Sequence, residues 1–332
     1  MPKNPAARAL PYVRAALLAV ALPGPAPFAS ANDSTAILKS GALQLTVSPS
    51  IALEREDLYL SMREVRVSYR FRNTSRKDIT TLVAFPLPEI TVGDDTQYDV
   101  GDADPANFIG FSVTANSQPV TPELELRATR FGIDQTALLA RHGIPVLPFG
   151  PRFHQSLETV SGAARDELER AGLVDWTSAF GANNEPLPTP HWKAHASYYW
   201  TQTFPVGAVT EVSHRYRPVS GVSFFYDGMV NDKAMQQAYC MDKGFRKTAV
   251  ARFGGGNAAM RELHYVLRTG ANWLGTIGEF HLTIDKGAPG NLVSLCIDGI
   301  RKTGPAIFEM TRRNFIPEQD LKILVLEPMR AQ

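Results

Sequence analysis

The chain has almost no cysteine: Cys240 and Cys296 are the only two. No Leu-x-x-Cys pattern therefore ends the N-terminal apolar segment, and lipid attachment there is excluded. After residue 31 no apolar run approaches the roughly 20 residues that a bilayer-spanning helix needs. Charge of one sign is also missing. Without Lys3, Arg8 and Arg14, the 34 basic residues become 31 against 33 acidic ones, a balance with no electrostatic bias toward nucleic acid or an acidic surface. Nor does any local pattern require a cofactor. Gly254-Gly255-Gly256 has no following Lys-Ser/Thr and is not a phosphate loop. Gly221-Val222-Ser223-Phe224-Phe225 lacks the second glycine of a nucleophile elbow and reads as a strand end.

The first 31 residues do carry a recognisable pattern. Basic residues lead into the apolar stretch Ala15 to Leu22, and Ala29-Ser30-Ala31 offers a small-residue cleavage site, the three parts of a secretory signal. A signal anchor is the other reading, but Pro23 and Pro25 interrupt a segment already too short to span. The expected product begins at Asn32 and is periplasmic or secreted. In such a compartment two cysteines read as one disulfide. Closing the 56-residue separation would remove unfolded-chain entropy worth roughly 4 kcal/mol, and two separate buried thiols are the alternative.

Beyond Asn32 the first half is written in period two, which sends alternate side chains to opposite faces of a strand. Val65, Val67, Tyr69 and Phe71 alternate with Glu64, Arg66, Ser68, Arg70 and Arg72, the pattern of antiparallel sheets with one dry face. Between about 130 and 195 the period becomes helical: Asp134 caps a short helix ending at Gly143, and Leu157, Val160, Ala164, Leu168 and Ala171 share one face up to Gly172. Strands resume at Tyr198 to Phe204 and Val209 to Arg217, read as a hairpin across Pro205-Val206-Gly207. A helix from Asn231 to Phe253 and several more strands follow. The expectation is a mainly β protein with a helical insertion, made of two antiparallel β-sandwich-like units: residues 32–220, carrying the insertion, and an α+β unit at 221–332.

A set of motifs spans nearly the whole chain after Ala31: EDLYLS, VSYRFRN with FPLPEI, YYWTQTFPVG with VSHRYRPVSG, YC before MD, and LRTGANWLGTIGEFHL. Together they resemble an uncharacterised family of secreted bacterial proteins, domain of unknown function 4424. Ser40-Gly41-Ala42-Leu43 stands where that family has Gly-Gly-Leu. Residues 43–126 and 198–220 are also similar in order to the vault and inter-alpha-trypsin type β-sandwich, which implies a scaffold for protein contacts.

Candidate chemistry is sparse. Asp94, Asp95, Asp99, Asp102 and Asp104 form an acidic loop that could supply oxygens to calcium, but the EF-hand order fails and a solvated loop is the alternative. His191 and His195 have i, i+4 spacing, yet the flanking PLPTP and SYYW favour an extended chain over a zinc-binding helix. His214, between Val212 and Tyr216, reads as a packed core histidine. In TGANWLGTIGEFHLTI, Gly270, Gly275 and Gly278 permit a tight link between an incoming strand (Leu263, Tyr265, Leu267) and an outgoing one (Phe280, Leu282, Ile284). Trp273 then either covers a sandwich end or offers a platform to a ligand. The leading expectation is a non-enzymatic binding or scaffold protein that contacts an envelope protein or polymer. The rival is a hydrolase or ligand-binding enzyme assembled from distant residues, for instance Glu279, His281 and Asp298.

Overall fold

The strand Val65–Asn73 shows why this sequence makes sheets: Val65, Val67, Tyr69, Phe71 and Asn73 are buried, while Arg66, Ser68 and Arg70 are exposed. Lys193–Phe204 alternates in the same way along its whole length. The computed structural model describes residues 32–39, 42–91, 97–99, 107–180, 186–256 and 258–329.

Two large sheets face one another. One is ordered Ile133–Asp134, Glu123–Arg130, Lys193–Phe204, Ile79–Pro86, Ser34–Lys39, Ala42–Thr46, with Ile90–Thr91 also paired to Lys193–Phe204. The other is ordered Arg301–Lys302, Ile307–Phe315, Ile277–Asp285, Ile51–Ser61, Val65–Asn73, Val209–Tyr216, Ser112–Ala115, Gln118–Val120. Ring contacts join the layers: Phe204 meets Phe71 edge-on, Phe85 meets Tyr216, and Trp200 meets His214. The expectation of a mainly β fold with antiparallel sheets holds. Ile277–Asp285 runs parallel to Ile51–Ser61, so strands from beyond residue 220 pair directly with strands from the first third of the chain.

A third sheet contains Leu292–Leu295, Leu321–Pro328, Ala258–Tyr265, Ser220–Phe224 and Gln97–Asp99. On one face Leu263, Tyr265, Leu321, Ile323 and Val325 extend the main core. On the other, Ala258, Met260, Leu324 and Leu326 pack with Tyr239, Ala249 and Phe253 of the helices Lys233–Tyr239 and Lys243–Phe253. A Cys240–Cys296 disulfide ties the first helix to the segment after Leu292–Leu295. Among the described residues no helix is long and apolar enough to cross a membrane.

Four local expectations need correction. Lys193–Phe204 and Val209–Tyr216 do not form a hairpin; they belong to opposite layers. The Asn73 side chain fixes this crossing by donating to the carbonyls of Phe204 and Lys77, both at 2.8 Å, while Gly207 donates its N–H to Asn73 O. Period two reports which face is dry, not which sheet carries it. Likewise Ala258–Tyr265 and Ile277–Asp285 lie in different sheets, so the TGANWLG stretch connects layers instead of closing one sheet. The helix expected from Asn231 to Phe253 is broken at Cys240, which adopts a left-handed conformation (φ 49°), and restarts where Asp242 accepts from Phe245 N–H. The helical stretch ending at Gly172 is similarly divided into Pro151–Thr159 and Gly162–Arg170, with Ser161 capping the second.

Candidate functional site

Along Ala258–Tyr265 the face that carries Ala258 and Met260 meets the two helices. Two and four residues further on the helix layer ends, and the same face carries Glu262 and His264, with Lys322 directly opposite His264 on the neighbouring strand. Across from them stand Leu87 to Thr91, the FPLPEI segment leaving Ile79–Pro86, and Lys193. Between these walls lies a cleft of about 730 Å³, within the size range of small-molecule sites, roughly 300–1,000 Å³.

Its polar groups are arranged in opposite pairs. Lys193 Nζ lies 2.7 Å from Glu89, and Arg268 lies 3.2 Å from Asp320. Tyr239 donates its hydroxyl to Glu262 at 2.5 Å and also lies 3.2 Å from His264 Nε2. Burial, then the Glu262 hydrogen bond, raises the Tyr239 pKa and keeps the phenol protonated. Burial first and the Lys322 charge second lower that of His264, so its imidazole is neutral at neutral pH. Apolar surface from Leu87, Ile109 and Val219 completes the lining.

A second polar cluster is sealed inside the sandwich. Asn32 and Asp33, just before the strand Ser34–Lys39, are fully buried beside Glu56, Tyr69 and His214. Asn32 donates its side-chain amide to both oxygens of Glu56, at 3.2 and 3.1 Å, and its side-chain oxygen accepts the Tyr69 hydroxyl. Its backbone N–H donates to Thr269 Oγ1 at 2.5 Å, and the Thr269 hydroxyl donates back to Asn32 O at 2.6 Å. The Asp33 carboxylate lies 3.4 Å from His214 Nε2, in a geometry that leaves both side chains without a hydrogen bond. Burial raises Asp33 well above the usual carboxylate range and lifts Glu56 to about 8, while it depresses His214 to about 3.

The link after Leu267 forms the lid of this cluster. Trp273 is 2% exposed, packs on Phe71, and donates its indole N–H to Asp33 O at 2.7 Å. A Cβ on Gly270 would meet the Asn32 side-chain nitrogen at 2.7 Å, and one on Gly278 would meet Glu54 O at 2.5 Å. These two glycines permit the close approach.

The other residues singled out in the sequence are dispersed. His195 sits on an extended strand with its Nε2 2.8 Å from Thr129 Oγ1; Arg130 donates to the His191 carbonyl. Ser223 lies on a strand opposite Met260. Glu279 pairs with Arg55 and His281 approaches Asp57, all on one partly exposed row. Asp298 is elsewhere, its carbonyl accepting from Arg312. Asp94, Asp95, Asp102 and Asp104 lie outside the described residues, as does the side chain of Asp99. Sequence reasoning passed over Glu262, His264 and Glu56, although each is a charged or polar residue occurring in the phase of an apolar alternation.

Taken together, the sheets and cleft describe a mainly β protein with a polar cleft between two of its sheets. Residues 31–324 match the family model for a domain of unknown function (DUF4424), and the chain belongs to that family. No curated protein matches it. Among solved structures, that of a "putative nutrient binding protein" from Legionella pneumophila is similar, with a TM-score of 0.45 and 16% identity over 89% of this chain and 70% of that one.

Proposed function

We propose that this is an exported, non-enzymatic binding protein of the cell envelope, released from its leader after Ala31, and that the cleft beside Glu262 and His264 is its ligand site. The ligand is a small polar solute, or the end of an envelope polymer, that carries both signs of charge. One observation carries the reading: both walls present acid and base side by side, Lys193 with Glu89 on one and Arg268 with Asp320 on the other. Exposed pairs of this kind are worth about 0–1 kcal/mol each, so a ligand can replace them at small cost. The disulfide supports the export half of the proposal, because such bonds persist in oxidising compartments.

Titration calorimetry with free amino acids, short peptides and neutral oligosaccharides tests it. Zwitterions should bind saturably, and Lys322→Glu should weaken them at least tenfold. Absence of binding across the panel, or binding indifferent to that substitution, would remove the cleft from consideration. The hydrolase alternative is tested at Glu262, His264 and Tyr239, since Asp298 lies apart from Glu279 and His281. Ester or amide turnover lost in His264→Gln would decide for that rival.

A further inference from the structure

The sealed cluster contains two buried carboxyls, and among the described residues no lysine or arginine is paired with either. Tyr69, Tyr265, Thr269, Trp273 and the Asn32 amide around them are neutral, and His214 lacks a hydrogen bond. Buried carboxylates without a cation are costly. The one backbone group in the cluster whose charge processing can change is the nitrogen of Asn32, held 2.5 Å from Thr269 Oγ1, the nitrogen that cleavage after Ala31 would free.

We propose that the α-ammonium of Asn32, exposed by cleavage after Ala31, is the counter-charge of the Asp33/Glu56 cluster, so that removal of the leader completes the fold. The inference rests on the leader reading above. In the step, an endopeptidase of the export apparatus adds water across the Ala31–Asn32 amide. The C–N bond breaks, the water oxygen stays on the Ala31 carbonyl carbon, and both water protons end on nitrogen, leaving an Ala31 carboxylate and an Asn32 ammonium. One neutral donor thereby becomes a cation with three. It stands on the residue whose side chain already spans both oxygens of Glu56. In the uncut chain Glu56 is lifted to about 8 by burial, with the nearby Asp57 charge adding to it against the Asn32 hydrogen bond. A cation beside it favours the ionised form. The lid explains how the terminus is held: Thr269 grips Asn32 at both backbone groups, Trp273 grips Asp33, and Gly270 leaves room for the Asn32 amide.

Three forms of residues 32–332 test this: one released from a fusion by a protease that leaves Asn32 free, one retaining Ala29-Ser30-Ala31, and one acetylated on Asn32. The free form should melt at least 5 °C above both others at pH 7.5. Its α-amine should also resist an amine-reactive anhydride until denaturant is added. The gap should shrink by half or more in Glu56→Gln, an isosteric change that removes the charge and keeps one of the two acceptors of the Asn32 amide. Equal melting of the three forms, a gap unchanged in Glu56→Gln, or labelling of the native α-amine at the denatured rate would each overturn the proposal. The mass of the exported protein separately tests the leader. A terminus other than Asn32 would defeat the cleavage reading, while the melting comparison would still judge the engineered terminus.

Discussion

In the cleft, each carboxylate has a partner: Glu89 has Lys193, Asp320 has Arg268, and Glu262 has the Tyr239 hydroxyl. In the sealed cluster, among the described residues, Glu56 has only the Asn32 amide and Asp33 faces a histidine that makes no hydrogen bond with it. The same side-chain types thus stand under opposite constraints. Where water reaches, ion pairs contribute little and can be exchanged for a ligand. Where it does not, an ionised group is stable only with a matched charge or a full set of hydrogen bonds. A sealed cluster is therefore sensitive to one proton or one terminus, whereas an open cleft tolerates rearrangement.

The contrast is broken most directly through the lid. Trp273→Ala removes a buried indole packed on Phe71 and Phe204 and leaves Asp33 O without its donor. Chemical denaturation should show a loss of about 3–5 kcal/mol, the range for deleting a buried aromatic. Trp273→Phe keeps much of the packing and should lose less. If Trp273→Ala unfolds at the wild-type midpoint, the lid is not holding the cluster.

A smaller effect should appear with pH in the chain that retains residues before Asn32. His214, enclosed by Tyr69, Phe85, Phe111 and Trp200 and facing Asp33, has a folded pKa of about 3, below its unfolded value. The unfolded chain therefore binds more protons from about pH 6.5 down to 3, and stability falls as pH falls through that window. Glu56, facing Asn32 with Asp57, Tyr69 and Tyr265 nearby, has a folded pKa of about 8, above its unfolded value. Its contribution is complete below about pH 4.5 and is lost as pH rises through 8, and the raised Asp33 acts in the same sense. Between about 4.5 and 6.5 the slopes of His214 and Glu56 oppose. From pH 6.5 to 8 the Glu56 proton alone should cost the uncut chain about 2 kcal/mol, at about 1.4 kcal/mol per proton per pH unit, with Asp33 adding to the same slope. Urea midpoints across pH 3–8 measure this. A free Asn32 terminus should flatten the alkaline limb, and identical limbs in both forms would mean that the terminus does not communicate with Glu56.

How much of this was legible follows from what periodicity encodes. Dry and wet positions of Val65–Asn73 could be read directly, because the alternation is unbroken. Layer membership could not: Lys193–Phe204 and Val209–Tyr216 bury the same kinds of residue toward one core from opposite sides. Glu56 was hidden by the register shift between Leu53 and Arg55, after which it falls in the buried phase with Leu58 and Leu60. Glu262 and His264 were hidden by a change of environment along one strand face, since past Met260 the apolar helix contacts give way to the Tyr239 hydroxyl, which bonds Glu262 and approaches His264. The breaks in the helices at Cys240 and Ser161 reflect local caps that a helical period of apolar residues does not resolve.

The smallest stability effect belongs to the cleft, where the comparison is also sharpest. Lys322 is exposed and opposes His264 across the strand pair, so Lys322→Glu should shift folding stability by no more than about 0.5 kcal/mol. The same change reverses one charge among those that any zwitterion would meet, and should weaken binding while the melt stays put. Loss of ligand with an unchanged melt would place recognition in groups the fold does not need. A melt that falls by several degrees would instead make Lys322 part of what holds the last strand against Glu262 and His264. The cleft would then belong with the sealed cluster as architecture, and its opposite charges would have to be explained by folding alone.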